Sequence, residues 1–160
     1  MQVKEKIKQS EETFSVFQNI TATIRDAKTG KIKRVYKERN LVATAGRTVL
    51  AMILSNDLTY TGVINYGLLG TSTTAPANAD TKLGTEAFRK APSSNTNTAN
   101  VANISFYYTA GDCNGTYKEF GTVIDGGAGA DSGQLFSHVA VDWVKSAAET
   151  LTVDCQYTIS

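Results

Sequence analysis

Histidine, cysteine and paired carboxylates are the side chains on which most acid–base, nucleophilic and metal chemistry depends. The sequence has one histidine, His138, which excludes a histidine pair for acid–base work and a site with several histidine ligands. Asp142 is on the same face of the strand predicted around His138, but four residues along a strand span roughly 13 Å. Because that separation is too large for a direct pair, we interpret His138 as a structural or interface residue.

The acidic side chains suggest no catalytic pair. The aspartates stand singly in predicted turns, where such side chains commonly support the backbone. These residues are Asp80, Asp112, Asp125 and Asp131. Glycoside cleavage needs two carboxylates on either side of the scissile bond, and nothing in the spacing indicates such a pair. We therefore predict a protein that is not an enzyme and has no catalytic residues. Of three hypotheses for its function, a glycan-cleaving enzyme is the weakest.

A metal or cofactor site is not predicted either. Residues 126–131, Gly-Gly-Ala-Gly-Ala-Asp, match one copy of a calcium-binding β-helix repeat. That site forms between stacked repeats, so a single copy predicts a flexible, glycine-rich hairpin loop. Cys113 and Cys155 lack the spacing of a zinc site. We expect free buried thiols, and a single disulfide stays open if their strands lie together.

Composition and charge narrow the classes of partner. The 160 residues have a formal net charge of +1, which argues against a nucleic-acid-binding domain with a strong basic excess. Residues 1–39 carry ten Lys or Arg and five Asp or Glu, whereas residues 40–160 carry six and ten. This asymmetry fits a basic arm that meets an acidic neighbour, or a solvated charged hairpin. No apolar run is long enough for a membrane span, and residues 1–10 lack the core of a signal peptide.

The pattern of apolar residues predicts a mainly β protein. Ile20, Ala22 and Ile24 alternate before a turn at residues 26–30, which predicts a hairpin with a second strand at 32–36. Further strands are predicted at 63–69, 83–91, 101–109, 117–124, 134–144 and 150–159. The last has the alternating apolar residues Leu151, Val153, Cys155, Tyr157 and Ile159. Residues 70–80 and 92–100 are predicted loops.

One helix is predicted over residues 40–54. Asn40 or Thr44 can cap its start, and its apolar stripe is Ala45, Val49, Met52 and Ile53. The fold class is an antiparallel β-sandwich, jelly-roll or immunoglobulin-like, with one short helix that packs on a sheet. Residues 1–12 are predicted to be a flexible N-terminal arm, and residues 13–160 a single domain.

Several stretches resemble small virion proteins of tailed phages, which are often described as tail-fibre-like or structural. The matching stretches are 20–30 (Ile-Thr-Ala-Thr-Ile-Arg-Asp-Ala-Lys-Thr-Gly), 40–47 (Asn-Leu-Val-Ala-Thr-Ala-Gly-Arg), 66–76 (Tyr-Gly-Leu-Leu-Gly-Thr-Ser-Thr-Thr-Ala-Pro), 80–84 (Asp-Thr-Lys-Leu-Gly) and 149–153 (Glu-Thr-Leu-Thr-Val). They are spread over most of the chain from residue 20 onward, and no catalytic residues come with the resemblance.

The resemblance implies a structural component of a bacteriophage virion, made in the bacterial cytoplasm. Because the sequence has no heptads or shaft-like repeats, a capsid decoration or head–tail accessory protein ranks first. Its expected partners are major capsid or tail subunits, bound through residues 1–12, and further copies of itself, with no nucleic acid and no membrane. The alternative is a tail-fibre or adaptor module that recognises a host surface glycan or protein through residues 71–80, 92–100 and 126–133.

Overall fold

The predicted antiparallel β-sandwich is confirmed. A computed structural model describes residues 14–160, so the predicted arm at residues 1–12 lies outside the described residues. Within these described residues, nine strands form a five-stranded and a four-stranded sheet, and a single helix of eleven residues joins β2 to β3. The elements are β1 (Val16–Asp26), β2 (Ile32–Leu41), α1 (Thr44–Leu54), β3 (Ile64–Gly70), β4 (Glu86–Lys90), β5 (Ser94–Thr98), β6 (Val101–Tyr108), β7 (Gly115–Ile124), β8 (Gln134–Lys145) and β9 (Glu149–Ile159).

The two sheets are built from antiparallel pairs. The five-stranded sheet has the order β2-β1-β9-β6-β5, and the four-stranded sheet has the order β4-β3-β7-β8. The alternation predicted for the last strand holds from Leu151 to Tyr157, where every second side chain faces the core, whereas Ile159 at the end of the series is 39% exposed. The main core fills the space between the sheets, where Trp143 lies 5.4 Å from Phe120, measured between ring centroids.

A second, smaller hydrophobic cluster covers the outer face of the four-stranded sheet. Leu83 packs there over Gly121 and against Leu135, although Leu83 belongs to the loop between β3 and β4. The members of this outer cluster are Ala43, Leu68, Leu83, Val123 and Leu135. The four-stranded sheet is therefore covered on both faces, and β7 is buried at every position from Glu119 to Ile124.

The predicted start of the helix is wrong. Residues 40 and 41 belong to β2, because pairing with β1 continues to the end of that strand. The helix begins at Thr44, and Ala43, at its N-cap, has no side chain that can cap it. Its buried positions are Gly46 and Val49, whereas Ile53 is exposed. Gly46 faces β8 so closely that a β-carbon there would lie 2.6 Å from the carbonyl oxygen of Phe136.

Two further boundaries differ from the prediction. The predicted loop at 92–100 contains β5, which pairs with β6 although all five of its residues are exposed. An exposed edge strand of Ser, Asn and Thr has no alternation of apolar residues, so the sequence pattern could not reveal it. The strand predicted at 83–91 is shorter, because residues 83–85 belong to the loop that covers the outer cluster.

Candidate functional site

His138 lies between two carboxylates on the outer face of the four-stranded sheet. Its Nε2 atom is 2.9 Å from Oε2 of Glu119, and its Nδ1 atom is 2.8 Å from Oδ2 of Asp80. Both the imidazole and the Glu119 side chain are buried, whereas Asp80 is partly exposed. We call these three side chains the His138 cluster. The predicted lack of a direct pair with Asp142 agrees with the structure, in which Asp142 binds Lys118 at 2.6 Å.

The Glu119 carboxylate also holds the loop formed by residues 71–85. It accepts hydrogen bonds from the backbone N–H groups of Ser72, Gly84 and Thr85, at 3.2, 2.8 and 2.7 Å. A side chain at Gly70 would overlap this carboxylate. The buried Glu119 carboxylate thus has three backbone donors and the imidazole of His138 around it, and such hydrogen bonds offset the cost of removing a carboxylate from water.

The geometry of the cluster leaves neither ring nitrogen free, because each lies within hydrogen-bond distance of a carboxylate oxygen. A neutral imidazole has one N–H group, so between two ionised carboxylates it can donate to only one of them, and both bonds then form only when the ring carries two protons. Burial raises the pKa of Asp80, but hydrogen bonds from the Ala77 N–H group and from His138 outweigh it and hold that pKa below its ordinary value. The adjoining cavity measures about 40 Å³, which is room for water and not for a substrate.

A second buried polar cluster fixes the glycine-rich loop at 125–133. Arg89 binds both carboxylate oxygens of Glu86, at 2.6 and 2.8 Å, and its third nitrogen donates to the carbonyl of Gly127 and the hydroxyl of Ser132. The backbone N–H of Asp131 donates to Glu86 at 2.9 Å. We call Glu86, Arg89 and Ser132 the Arg89 cluster. The loop was predicted as a flexible hairpin loop; it does connect β7 to β8, but side chains from β4 hold its backbone.

A third group of charges lies where β8 turns into β9. Arg34 binds the Glu149 carboxylate at 2.9 Å, and the backbone N–H of Ser146 donates to the same oxygen at 3.0 Å. Burial alone would raise the pKa of Glu149, but these hydrogen bonds hold it at about 2. The ammonium group of Lys145 beside it is surrounded by carbonyl and amide oxygens, with Asp112 and Asn114 each at 2.8 Å. These ion pairs and hydrogen bonds therefore stabilise the turn between β8 and β9.

The two cysteines are free and buried, as expected. Burial raises the pKa of the Cys113 and Cys155 thiols to about 12, so neither is a ready nucleophile. Across residues 14–160, no group of three or more His, Cys, Asp or Glu side chains is arranged to hold a metal ion. In the His138 cluster this follows from geometry, because each ring nitrogen faces a different carboxylate. Within the same residues, no helix combines the length and the apolar character needed to cross a bilayer.

An apolar groove opens at one end of the sandwich. It consists of two adjoining cavities that share Val16 and Leu50, one of about 350 Å³ beside β5 and β6 and one of about 460 Å³ between α1 and the start of β1. Four large apolar side chains on its walls are 39–83% exposed, namely Phe14, Leu54, Val63 and Ile159. Exposed apolar surface gathered around a groove is typical of an interaction site.

Sequence reasoning missed both polar clusters. The partners of His138 are 19 and 58 residues away in the chain, and the partners of Arg89 include a residue 43 positions away. No local spacing marks such pairs. Phe14 and Val63 were visible as apolar residues, but their joint position at one groove depends on the packing of α1 against the sheets.

Comparison of the chain with protein-family models, with curated proteins and with solved structures finds no match.

Proposed function

We propose that this protein is a non-enzymatic structural component of a bacteriophage virion, a capsid decoration or head–tail accessory protein that binds neighbouring virion subunits. The observation that carries the proposal is the apolar groove with its exposed side chains Phe14, Leu54 and Val63. Burial of such side chains against a partner supplies the main driving force for association. Residues 1–13 join the described chain at Phe14, so any contact that they make begins beside this groove.

The polar clusters support a structural role over a catalytic one. The hydrogen-bonding atoms of His138, Glu119 and Arg89 are directed at strands and loops of the same chain. Such networks make the surface rigid, and a rigid surface loses less conformational entropy when it binds. In this proposal the protein is made in the bacterial cytoplasm and then assembles into particles, where it contacts capsid or tail subunits and further copies of itself.

The proposal is tested on purified particles of the phage that encodes the protein. Mass spectrometry and cryo-electron microscopy should detect many copies in the particle and locate them on the head or at the head–tail junction. Particles that lack the protein after gradient purification would contradict the proposal. A Phe14→Asp/Leu54→Asp double variant should join particles poorly, because it places two charges on the walls of the groove.

A matched control for that variant is Val144→Asp, at a residue that is 47% exposed on β8 and outside the groove. It should join particles at the wild-type level. If both variants occupy particles equally, the groove is not the surface that binds virion subunits.

A second candidate function is recognition of a host surface glycan or protein. It is favoured by the contact between the loops at 71–85 and 125–133, in which Lys82 binds Asp131 at 2.8 Å. These loops form one surface over the four-stranded sheet, whereas residues 92–100 lie at the edge of the five-stranded sheet. Under this proposal, substitution of Thr73 and Thr74 should reduce adsorption of particles to cells while the copy number stays unchanged.

A further inference from the structure

Strand β5 offers a free edge beside the apolar groove. Within residues 14–160 it pairs with β6 alone, so its other edge has no strand partner. Its residues Asn95, Thr96 and Asn97 form part of the wall of the cavity of about 350 Å³, next to Ala102 and Ile104. A free edge presents unpaired backbone N–H and C=O groups, which an extended segment can bind as an added strand.

The geometry defines what such a segment must look like. An added strand directs every second side chain to one face, so those side chains must be apolar to fill the groove. The alternate side chains would face solvent and should be polar or charged. A carboxylate on the inner side could be met by the Asn97 amide, which is a donor on the cavity wall.

Residues 1–8 of this chain have that pattern. Met1, Val3 and Ile7 occupy odd-numbered positions, and the even-numbered positions are Gln2, Lys4, Lys6 and Lys8. Glu5 is the one charged residue on the apolar side, where the Asn97 amide offers a partner. Apart from Glu5, this alternation is the pattern of a half-buried strand.

We propose that residues 1–8 of a neighbouring copy pair with β5 and place Val3 and Ile7 in the apolar groove. This inference deepens the proposed role in assembly and rests on it. A neighbouring copy fits better than the same chain, because residues 8–13 contain no Gly, Pro, Asn or Asp to reverse the chain before Phe14. Thirteen extended residues span up to about 43 Å, enough to reach a second subunit.

Cross-linking between single-cysteine variants of the full chain tests the contact. A Val3→Cys chain is mixed with an Asn97→Cys chain that carries a size tag, and a short bis-maleimide is added. The expected product is a heterodimer at micromolar concentration. The buried native cysteines, with their raised pKa, should not compete.

The matched control replaces Asn97→Cys with Val144→Cys, on the edge strand of the other sheet. Equal cross-linking of both pairs, or none with Asn97→Cys, would overturn the inference. A chain that carries both Val3→Cys and Asn97→Cys should also form cross-linked dimers or larger species. A product linked only within one chain would show that the segment binds its own groove, which would overturn exchange between copies.

Light scattering after size-exclusion chromatography gives an independent measurement. Val3→Asp/Ile7→Asp should shift the protein to monomers, whereas Gln2→Asp/Ser10→Asp adds the same charge on the polar side and should preserve the oligomer. An unchanged mass for the first variant would contradict the inference. If the Val3→Asp/Ile7→Asp variant still joins particles at the wild-type level, the exchange of residues 1–8 is wrong and the virion role stands. If the wild-type protein forms the cross-linked oligomer but is absent from particles, the exchange stands and the virion role is wrong.

Discussion

The Nε2 atom of His138 lies 2.9 Å from Oε2 of Glu119, and both side chains are buried beneath the loop at 71–85. The same carboxylate binds three backbone N–H groups of that loop. A pair that resembles part of a catalytic site therefore connects a loop to a sheet. Substitutions that remove this contact should therefore lower the free energy of unfolding.

Replacement of Glu119 by Gln should strongly destabilise the protein. The variant keeps the shape of the side chain but replaces one carboxylate oxygen, which accepts hydrogen bonds from backbone N–H groups, with an NH₂ group that cannot accept them. The expected loss in the free energy of unfolding is about 1–3 kcal/mol, as for buried polar groups that lose their hydrogen-bond partner. Urea denaturation monitored by tryptophan fluorescence measures it. The control is Asp142→Asn, an exposed carboxylate on β8, which should change stability by less than about 0.5 kcal/mol. Similar values for both variants would contradict the prediction.

Glu149 should make the stability depend on pH in the acidic range. The folded protein lowers the pKa of this carboxyl to about 2 from its ordinary 4.5, so its contribution is complete above pH 4.5. The contribution falls as the pH drops from 4.5 towards 2, because the unfolded chain takes up the proton first. Glu149→Gln should be less stable than the wild type at pH 7, and the two should converge near pH 2.

Denaturation of both proteins at a series of pH values checks this prediction. Arg34→Met removes the cation that binds Glu149 and should also reduce the slope between pH 4.5 and 2. A Glu149→Gln variant that keeps the full slope of the wild type would show that other carboxylates are responsible. Asp112, whose pKa is also held at about 2 by Lys90 and the Thr109 N–H group, is the next to replace.

Gly46→Ala should be destabilising although alanine favours helices. In an exposed helix the change would stabilise by up to about 1 kcal/mol. Here the new β-carbon would lie 2.6 Å from the Phe136 carbonyl oxygen and 2.8 Å from its ring, so α1 would have to move away from β8. We expect a loss of about 1–3 kcal/mol, typical of overpacking. Thermal unfolding compares it with Arg47→Ala, on the exposed side of the helix, which should be nearly neutral. A stabilised Gly46→Ala variant would mean that the helix packs less closely.

Arg89→Lys should release the loop at 125–133 without unfolding the domain. Lysine keeps the charge but cannot bind both Glu86 oxygens and Ser132 together, as the planar guanidinium does. Backbone amides of residues 126–132 should exchange hydrogen at least about tenfold faster, which corresponds to 1.4 kcal/mol of local stability. Lys82→Met is the control, because its exposed pair with Asp131 should contribute less than about 1 kcal/mol. Asn65 also holds this loop, because its side-chain amide and the backbone of Gly126 form two hydrogen bonds of 2.8 Å. Unchanged exchange in Arg89→Lys would show that Asn65 and Ser132 suffice to hold the loop.

Local patterns in the sequence determined the class of fold. The alternation from Leu151 to Tyr157 predicts a strand with one buried face, and the turn at 26–30 predicts the first hairpin; both are found. These features depend on residues within a few positions of one another, so the pattern alone suffices. The edge strand β5 had no such signal, and the true start of α1 was decided by the pairing of β2 with β1.

The sites depended on the tertiary structure. Regular alternation from Tyr117, which faces the main core, would direct Glu119 to the same side. A break in register between Tyr117 and Glu119 turns Glu119 to the outer face, where it meets His138. The loop at 71–85 then brings Asp80 to the same ring from 58 residues away. Strand register and loop packing depend on residues far apart in the chain, so local composition cannot predict them. The sequence by itself determined that the chain forms a sandwich, and only the tertiary structure decided which polar and apolar groups meet on it.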